Sequence, residues 1–168
     1  IRVPFIVRGP SIEAGTISHE RTVSLDLFPT FAELAGVDYP LPEDIEGGSL
    51  LPVLHDSGEG RIQRPREELV FHFPTGSGQA DFRPMSAIYL DDYKMVKFYD
   101  ADEKKLYNIA DDIGEQHDLT FQMPERSEQM DGLLINYLDV MGVNIFAPAP
   151  GEVQAMGGMG TMAGGMGG

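Results

Sequence analysis

The sequence predicts an α/β protein: the end of an α/β sheet domain (a strand plus a helix), followed by a small four-stranded antiparallel sheet packed with a C-terminal helix. Three observations lead to this prediction. An apolar run over Ile1–Val7 precedes a loop and a helical repeat of apolar residues over Arg21–Val37. Four short segments between residues 69 and 109 have the composition of strands and are separated by turn residues. Residues 124–141 carry an apolar stripe at helical spacing.

The first segment, Ile1–Val7, is a nearly continuous apolar run, typical of a strand buried on both faces of a parallel sheet. Pro4 lies inside it and cannot donate a ladder hydrogen bond, which favours an edge strand or a bulge. A strand of this kind exposes an apolar edge when it lacks sheet neighbours, so we expect self-association through it. Because the chain opens on this strand without Met, we expect a truncated N-terminus.

The segment Arg21–Val37 predicts a core helix. Asp26 is the N-cap candidate, because its carboxylate can accept from the free N–H groups of the first turn. A start nearer Ser24 is the alternative. Gly36 can take the left-handed conformation that ends a helix. The apolar stripe consists of Leu27, Phe28, Phe31, Leu34 and Ala35.

The next segments divide the chain into domains. Residues 38–48 are rich in Pro, Gly and acid, which predicts a surface loop, and Ser49 can cap a short helix over residues 50–54. The polar stretch that follows gives a boundary near residue 60. We therefore assign residues 1–60 to the end of the α/β domain, 61–146 to a C-terminal subdomain and 147–168 to a disordered Gly/Met-rich tail.

Within the subdomain, the period changes from helical to strand-like. The predicted strands are Leu69–Phe73, Met85–Leu90, Tyr93–Tyr99 and Lys105–Ile109, which form an antiparallel meander. A Gly/Ser-rich loop, Pro74–Arg83, joins the first two. The final helix, Pro124–Met141, has an apolar face formed by Met130, Leu133, Leu134, Tyr137, Leu138 and Met141.

Composition excludes several classes of function. A net charge of −15 repels phosphate backbones, so nucleic acid is a poor partner. The absence of Cys excludes disulfides, thiolate metal sites and a cysteine nucleophile in this chain. No apolar run of about 18 residues occurs, so no membrane span is predicted.

The residues do not form a catalytic set. Asp100 and Asp102 open a calcium-loop pattern, but Lys105 occupies the position that requires Gly, and the pattern fails. No two His have zinc-site spacing, so no metal is expected to bind. His72 alternates with flanking Phe residues beside the Gly-rich loop, and Arg83 is the best anion-binding candidate. His72 and Arg83 are therefore the substrate-side candidates, and no residue is predicted to be catalytic.

Six stretches together resemble the C-terminal portion of the type I sulfatases of the alkaline-phosphatase-like superfamily. VSLDLFPTFAELAGV is similar to the family's D-L-x-P-T-x-x-x-L-A-G, and EGGSLLPVL to D-G-x-S-L-x-P-x-L, with Glu46 for the usual Asp. KKLYNIADDIGEQHDL is similar to L-Y-D-L-x-x-D-x-x-E-x-x-N-L, with Asp118 for the common Asn. The other three stretches are IRVPFIVRGPSIEAGTIS, RPREELVFH and DDYKMVKF, and the match covers roughly residues 1–140.

The resemblance implies a sulfuric ester hydrolase whose formylglycine nucleophile and calcium ligands lie in a missing N-terminal part, so that this chain alone is inactive. The implied partner is a sulfated small molecule or carbohydrate, and the implied compartment is periplasmic, extracellular or lysosomal. Two alternatives are a stand-alone binding module and a phosphoester or phosphonate hydrolase of the same superfamily. A nucleophile motif and metal ligands encoded upstream would distinguish the sulfatase fragment from the stand-alone binding module.

Overall fold

A computed structural model describes residues 3–38, 40–73 and 83–143, which comprise two compact units that divide in sequence between Glu67 and Glu68. The predicted tail over residues 147–168 lies outside the described residues. So do residues 74–82 of the predicted Gly/Ser-rich loop. Nowhere in the described ranges is a helix both long and apolar enough to cross a membrane.

The first unit contains one 3₁₀ turn and two short helices. The 3₁₀ turn Ser24–Asp26 leads directly into α1, Leu27–Leu34, so the earlier of the two predicted starts is realised as a tighter turn. Gly36 has a φ of +66°, in the left-handed region that ends the helix. α2 spans Leu51–His55, and a small apolar cluster forms around it from Leu50, Val53 and Ile62.

Two predictions for this unit are wrong. The described residues of the predicted first strand, Val3 to Val7, form no ladder with any described strand, and Val3 and Ile6 are exposed. A strand needs a neighbour to accept and donate its backbone hydrogen bonds, and no described segment supplies one. The stripe of α1 does not face a core in this chain, because Phe28, Phe31 and Leu34 are exposed.

The second unit is the predicted meander with its helix. β1 (Leu69–Phe73), β2 (Met85–Leu90), β3 (Tyr93–Phe98) and β4 (Glu103–Asn108) pair antiparallel in sequence order. A two-residue turn joins β2 to β3, where Asp91 takes a φ of +50°. β4 begins two residues before its predicted start, because Glu103 pairs with Phe98 across the hairpin.

The helix α3, Pro124–Val140, packs on β2 and β3. Its apolar side chains meet those of the sheet in one buried cluster, which consists of Ile88, Leu90, Met95, Leu106, Met130, Leu134 and Leu138. Met141, predicted on the buried face, lies past the end of the helix and is exposed. Gly142 follows with a φ of +64°, as a helix terminator should.

Candidate functional site

The polar row across the sheet is set by strand register. His72 on β1 lies opposite Ser86 on β2, Ser86 opposite Lys97 on β3, and Lys97 opposite Lys104 on β4. Because side chains at paired positions point to the same face, these four polar residues share one face of the sheet. This row is the candidate site.

At one end of the row, His72, Ser86 and Tyr99 form a hydrogen-bonded series. His72 Nδ1 lies 2.7 Å from Ser86 Oγ, and Ser86 Oγ lies 2.7 Å from the Tyr99 hydroxyl. Ser86 is fully buried. The His72 and Tyr99 rings meet edge to face, with centroids 6.0 Å apart. Side chains from β1, from β2 and from the residue that follows β3 are thereby fixed relative to one another.

Burial sets the protonation of this series. Loss of solvent disfavours the imidazolium and lowers the pKa of His72 below its ordinary value, so His72 is neutral at pH 7. Burial likewise raises the pKa of Tyr99, so the phenol keeps its proton. His72 Nε2 is buried without a hydrogen-bond partner among the residues that the structure describes. A buried polar atom left in this state calls for an explanation.

At the other end of the row, α3 supplies carboxylates to both lysines. Asp131, nearly buried, accepts from Lys97 Nζ at 2.8 Å and from Lys104 Nζ at 3.3 Å. Glu128 also binds Lys104. Sequence reasoning missed this cluster. In the sequence, this cluster is visible only as one lysine on each of two neighbouring strands and as two acids three residues apart on a helix, a pattern that solvated surfaces share.

The second sequence candidate, Arg83, is already engaged. Its guanidinium donates to both carboxylate oxygens of Asp100 at 2.8–3.0 Å and to Glu103 at 3.1 Å. The group also lies 4.1 Å from the centroid of the Phe98 ring. The hydrogen bond from Arg83 holds the pKa of Asp100 below its ordinary value. No contact among the described residues joins Arg83 to His72.

In the first unit, Asp26 is the centre of a separate buried network. Its Oδ1 accepts from the backbone N–H of Gly48 at 3.0 Å and from Arg64 Nε at 2.8 Å. Its Oδ2 accepts from the N–H of Val23 at 2.8 Å and from Arg64 Nη2 at 2.7 Å. The predicted N-cap hydrogen bond to the first turn of α1 is absent. The carboxylate is instead taken by Arg64 and by two chain segments outside that turn.

The network extends to Thr30, a residue of α1. The Thr30 hydroxyl donates to the carbonyl of Asp26 at 2.6 Å and accepts from the N–H of Leu50 at 2.8 Å. Asp26 and Thr30 are buried. Three segments that are far apart in sequence, around residues 26, 48 and 64, are therefore tied together by one carboxylate and one hydroxyl.

The acidic pairs of the sequence serve as local partners of neighbouring groups. Asp91 binds Arg126 at 2.6 Å, and Asp112 accepts from the backbone N–H of His117 at 2.8 Å. Across the described ranges, no three His, Asp or Glu side chains converge in a way that could hold a metal ion.

The sequence matches a protein family and several curated sulfatases. A family profile described as "N-sulphoglucosamine sulphohydrolase, C-terminal" matches residues 1–139. A sulfatase of Formosa agariphila is 31% identical over 137 residues, which are 75% of this chain and 24% of that protein. An N-acetylglucosamine-6-O-sulfatase of Bacteroides thetaiotaomicron is 32% identical over 120 residues, which are 70% of this chain and 21% of that protein.

The fold was compared with solved structures. The structure of BT4656 in complex with its substrate D-glucosamine-2-N,6-O-disulfate matches with a TM-score of 0.61 and 28% identity. The match covers 76% of this chain and 26% of that chain. The chain thus matches about a quarter of the length of each of these three proteins.

Proposed function

Because this chain belongs to the family of sulfatase C-terminal domains, we propose that it is the scaffold and substrate-side portion of a sulfuric ester hydrolase. In this proposal the nucleophile and the metal ligands lie in residues that this chain does not contain. When bound, calcium and formylglycine supply the Lewis acid and the nucleophile for sulfate ester cleavage. The residues described here bind, orient and support; none of them is assigned a covalent step.

The observation that carries the proposal is an uncovered apolar face on the 3₁₀ turn and α1. Leu25, Phe28, Phe31 and Leu34 are 52%, 56%, 62% and 59% exposed. These residues recur every third position, so they form an apolar surface that winds along the exposed part of the 3₁₀ turn and of α1. An apolar surface of this kind on a soluble domain marks a contact with another protein surface. We assign that contact to the remaining, larger part of a sulfatase.

The face is held in a defined orientation. Asp26, between Leu25 and α1, is bound by Arg64 and by the backbone of Gly48, and Thr30 on the same helix binds Leu50. Buried, fully hydrogen-bonded polar groups specify a single arrangement of the segments that they join. The side of α1 that carries Pro29 and Thr30 is thus anchored within the unit, and the opposite side is free to dock.

For the substrate, we propose a sulfated carbohydrate. This choice is supported by two of the relatives, one an N-acetylglucosamine-6-O-sulfatase and the other bound to D-glucosamine-2-N,6-O-disulfate. His72 is our substrate-side residue, because its Nε2 is buried and lacks a partner among the described residues. Arg83 is a weaker candidate, since anion binding would have to displace Asp100 and Glu103.

A hybrid enzyme tests the proposal. The C-terminal part of the Bacteroides thetaiotaomicron N-acetylglucosamine-6-O-sulfatase is replaced by this chain, and hydrolysis of N-acetylglucosamine 6-sulfate is measured. We expect the hybrid to fold and to turn over substrate. Replacing Phe28 and Phe31 by Asp should abolish both the folding of the hybrid and its turnover of substrate, because two buried carboxylates would face an apolar partner surface.

The matched control is Phe121→Asp, which places the same charge at a side chain that is 94% exposed in the second unit. This variant of the hybrid should retain activity. The proposal is overturned if the hybrid folds but has no sulfatase activity, or if the Phe28/Phe31 double variant is as active as the Phe121 control.

A further inference from the structure

The directions of the protons in the His72–Ser86–Tyr99 series follow from the donors that each group carries. The Tyr99 phenol keeps its proton, and Ser86 Oγ is the hydrogen-bonding partner of its hydroxyl in the described part of the chain. Tyr99 is partly buried, and its phenol proton gains a hydrogen bond by pointing to Ser86 Oγ, so we take Tyr99 as the donor. This fixes the first bond of the series.

The second bond then has one arrangement that leaves only a single proton or ring nitrogen of the series without a partner. Ser86 accepts from Tyr99, and its own single proton remains for His72 Nδ1, 2.7 Å away. A neutral imidazole whose Nδ1 accepts must carry its proton on Nε2. Reversing both bonds would leave the Tyr99 proton and the His72 Nε2 lone pair without partners. Ser86 accepting from both neighbours would leave its own proton and the Nε2 lone pair without partners, so each alternative has one more unpaired group.

We propose that Ser86 and Tyr99 are positioning residues that hold His72 as the tautomer protonated on Nε2, so that it presents a neutral N–H donor to an oxygen of the sulfated substrate. The ligand part of this proposal rests on the proposed function. The tautomer part rests only on the geometry of the three side chains.

The surroundings favour a neutral donor at this position. Lys97 and Asp131 are the charged groups that act on Tyr99, and they are bound to each other at 2.8 Å, so their charges largely cancel. The Nε2 atom is buried and has no partner among the described residues. When a sulfate or sugar oxygen reaches Nε2, the N–H group gains a hydrogen bond and gives up no partner among the described residues.

The tautomer can be read directly by long-range ¹H–¹⁵N correlation spectra of the histidine side chains of the ¹⁵N-labelled chain at neutral pH. We expect His72 to show a protonated, pyrrole-like Nε2 and a bare, pyridine-like Nδ1. Ser86→Ala and Tyr99→Phe should each shift His72 toward a mixture of tautomers. Tyr93→Phe is the control, because it removes a phenol hydroxyl from β3 while keeping the ring that packs on Arg126.

A His72 protonated on Nδ1 in the unsubstituted chain, or an imidazolium at neutral pH, overturns the tautomer. The tautomer proposal is also overturned if Ser86→Ala and Tyr99→Phe leave the side-chain ¹⁵N signals of His72 unchanged. The ligand part is read in the hybrid enzyme, where Tyr99→Phe should raise KM roughly fivefold with kcat nearly unchanged, the factor that one net hydrogen bond supplies. An active hybrid in which Tyr99→Phe leaves KM unchanged overturns that part. A folded hybrid without activity overturns the proposed function, while the spectra still decide the tautomer.

Discussion

Removing the carboxylate of Asp26 is expected to unfold much of the first unit. The side chain is fully buried, and Arg64, its ion-pair partner, is 9% exposed. Asp26→Ala deletes the acceptor of four hydrogen bonds: two from the Arg64 guanidinium, one from the N–H of Val23 and one from the N–H of Gly48. What remains is a nearly buried cation and two backbone donors without acceptors.

The magnitude follows from this inventory. Breaking a buried ion pair by removing one partner costs about 3–5 kcal/mol, chiefly because the other charge stays buried without compensation. Domains of this size have a free energy of unfolding of roughly 5–15 kcal/mol. The loss is therefore a large fraction of the total for a unit whose apolar cluster is built from only three buried side chains, Leu50, Val53 and Ile62.

Native-state hydrogen exchange read by mass spectrometry measures the effect separately in each unit. Peptides covering residues 20–64 should lose protection by about 3 kcal/mol or more, and peptides of the sheet should not change. Asp44→Ala, at an exposed acid of the same unit, is the control and should change protection by less than about 0.5 kcal/mol. Replacing both Asp26 and Arg64 by apolar residues should recover only the part of the loss that comes from the uncompensated Arg64 charge, because the N–H groups of Val23 and Gly48 still lack their acceptor. The reasoning is refuted if Asp26→Ala and Asp44→Ala have the same effect.

Two further predictions concern backbone space and pH. A Cβ at Gly47 would lie 2.0 Å from the Leu25 carbonyl oxygen, so Gly47→Ala should destabilise the first unit. A Cβ at Gly132 would meet nothing within 4 Å, so Gly132→Ala should stabilise α3 by about 1 kcal/mol, and urea unfolding measures both effects. Burial lowers the pKa of His72 below 6.5 in the folded chain, so the unfolded chain binds a proton first, and the second unit should lose stability as the pH falls below 6.5. His72→Gln should flatten this dependence in urea midpoints measured between about pH 7 and pH 5, and an unchanged slope would contradict it.

The candidate site was only partly predictable from the sequence. His72 was singled out because it alternates with Phe71 and Phe73 on one strand. Its partners Ser86 and Tyr99 could not be predicted, because a strand pattern shows which residues share a face but not which residue lies opposite on the neighbouring strand. Arg83 was predicted as the best anion-binding candidate, since the sequence does not show that the β3–β4 hairpin brings Asp100 and Glu103 to its guanidinium.

The same division applies to the first unit. The sequence identified a helix near Asp26 and its end at Gly36, because capping and helix termination depend on neighbours within four residues. The sequence assigned the Asp26 carboxylate to the helix itself, whereas the fold gives it to Arg64 and Gly48, 38 and 22 residues away. The Asp26 carboxylate can bind either the first turn of the helix or a distant charged donor. The charge-assisted hydrogen bonds are the stronger ones, and they exist only once the fold brings Arg64 to the carboxylate.

The sequence by itself determined the order of the elements, the antiparallel meander with its helix, and the resemblance to the sulfatases. These depend on periodicity, on turn residues and on short motifs, which act over a few neighbouring residues. Tertiary structure alone decided which side chains meet in the row from His72 to Lys104, and that the apolar stripe of α1 lies uncovered. Burial is a property of what surrounds a residue, and a sequence pattern can state that a face is apolar without stating what covers it.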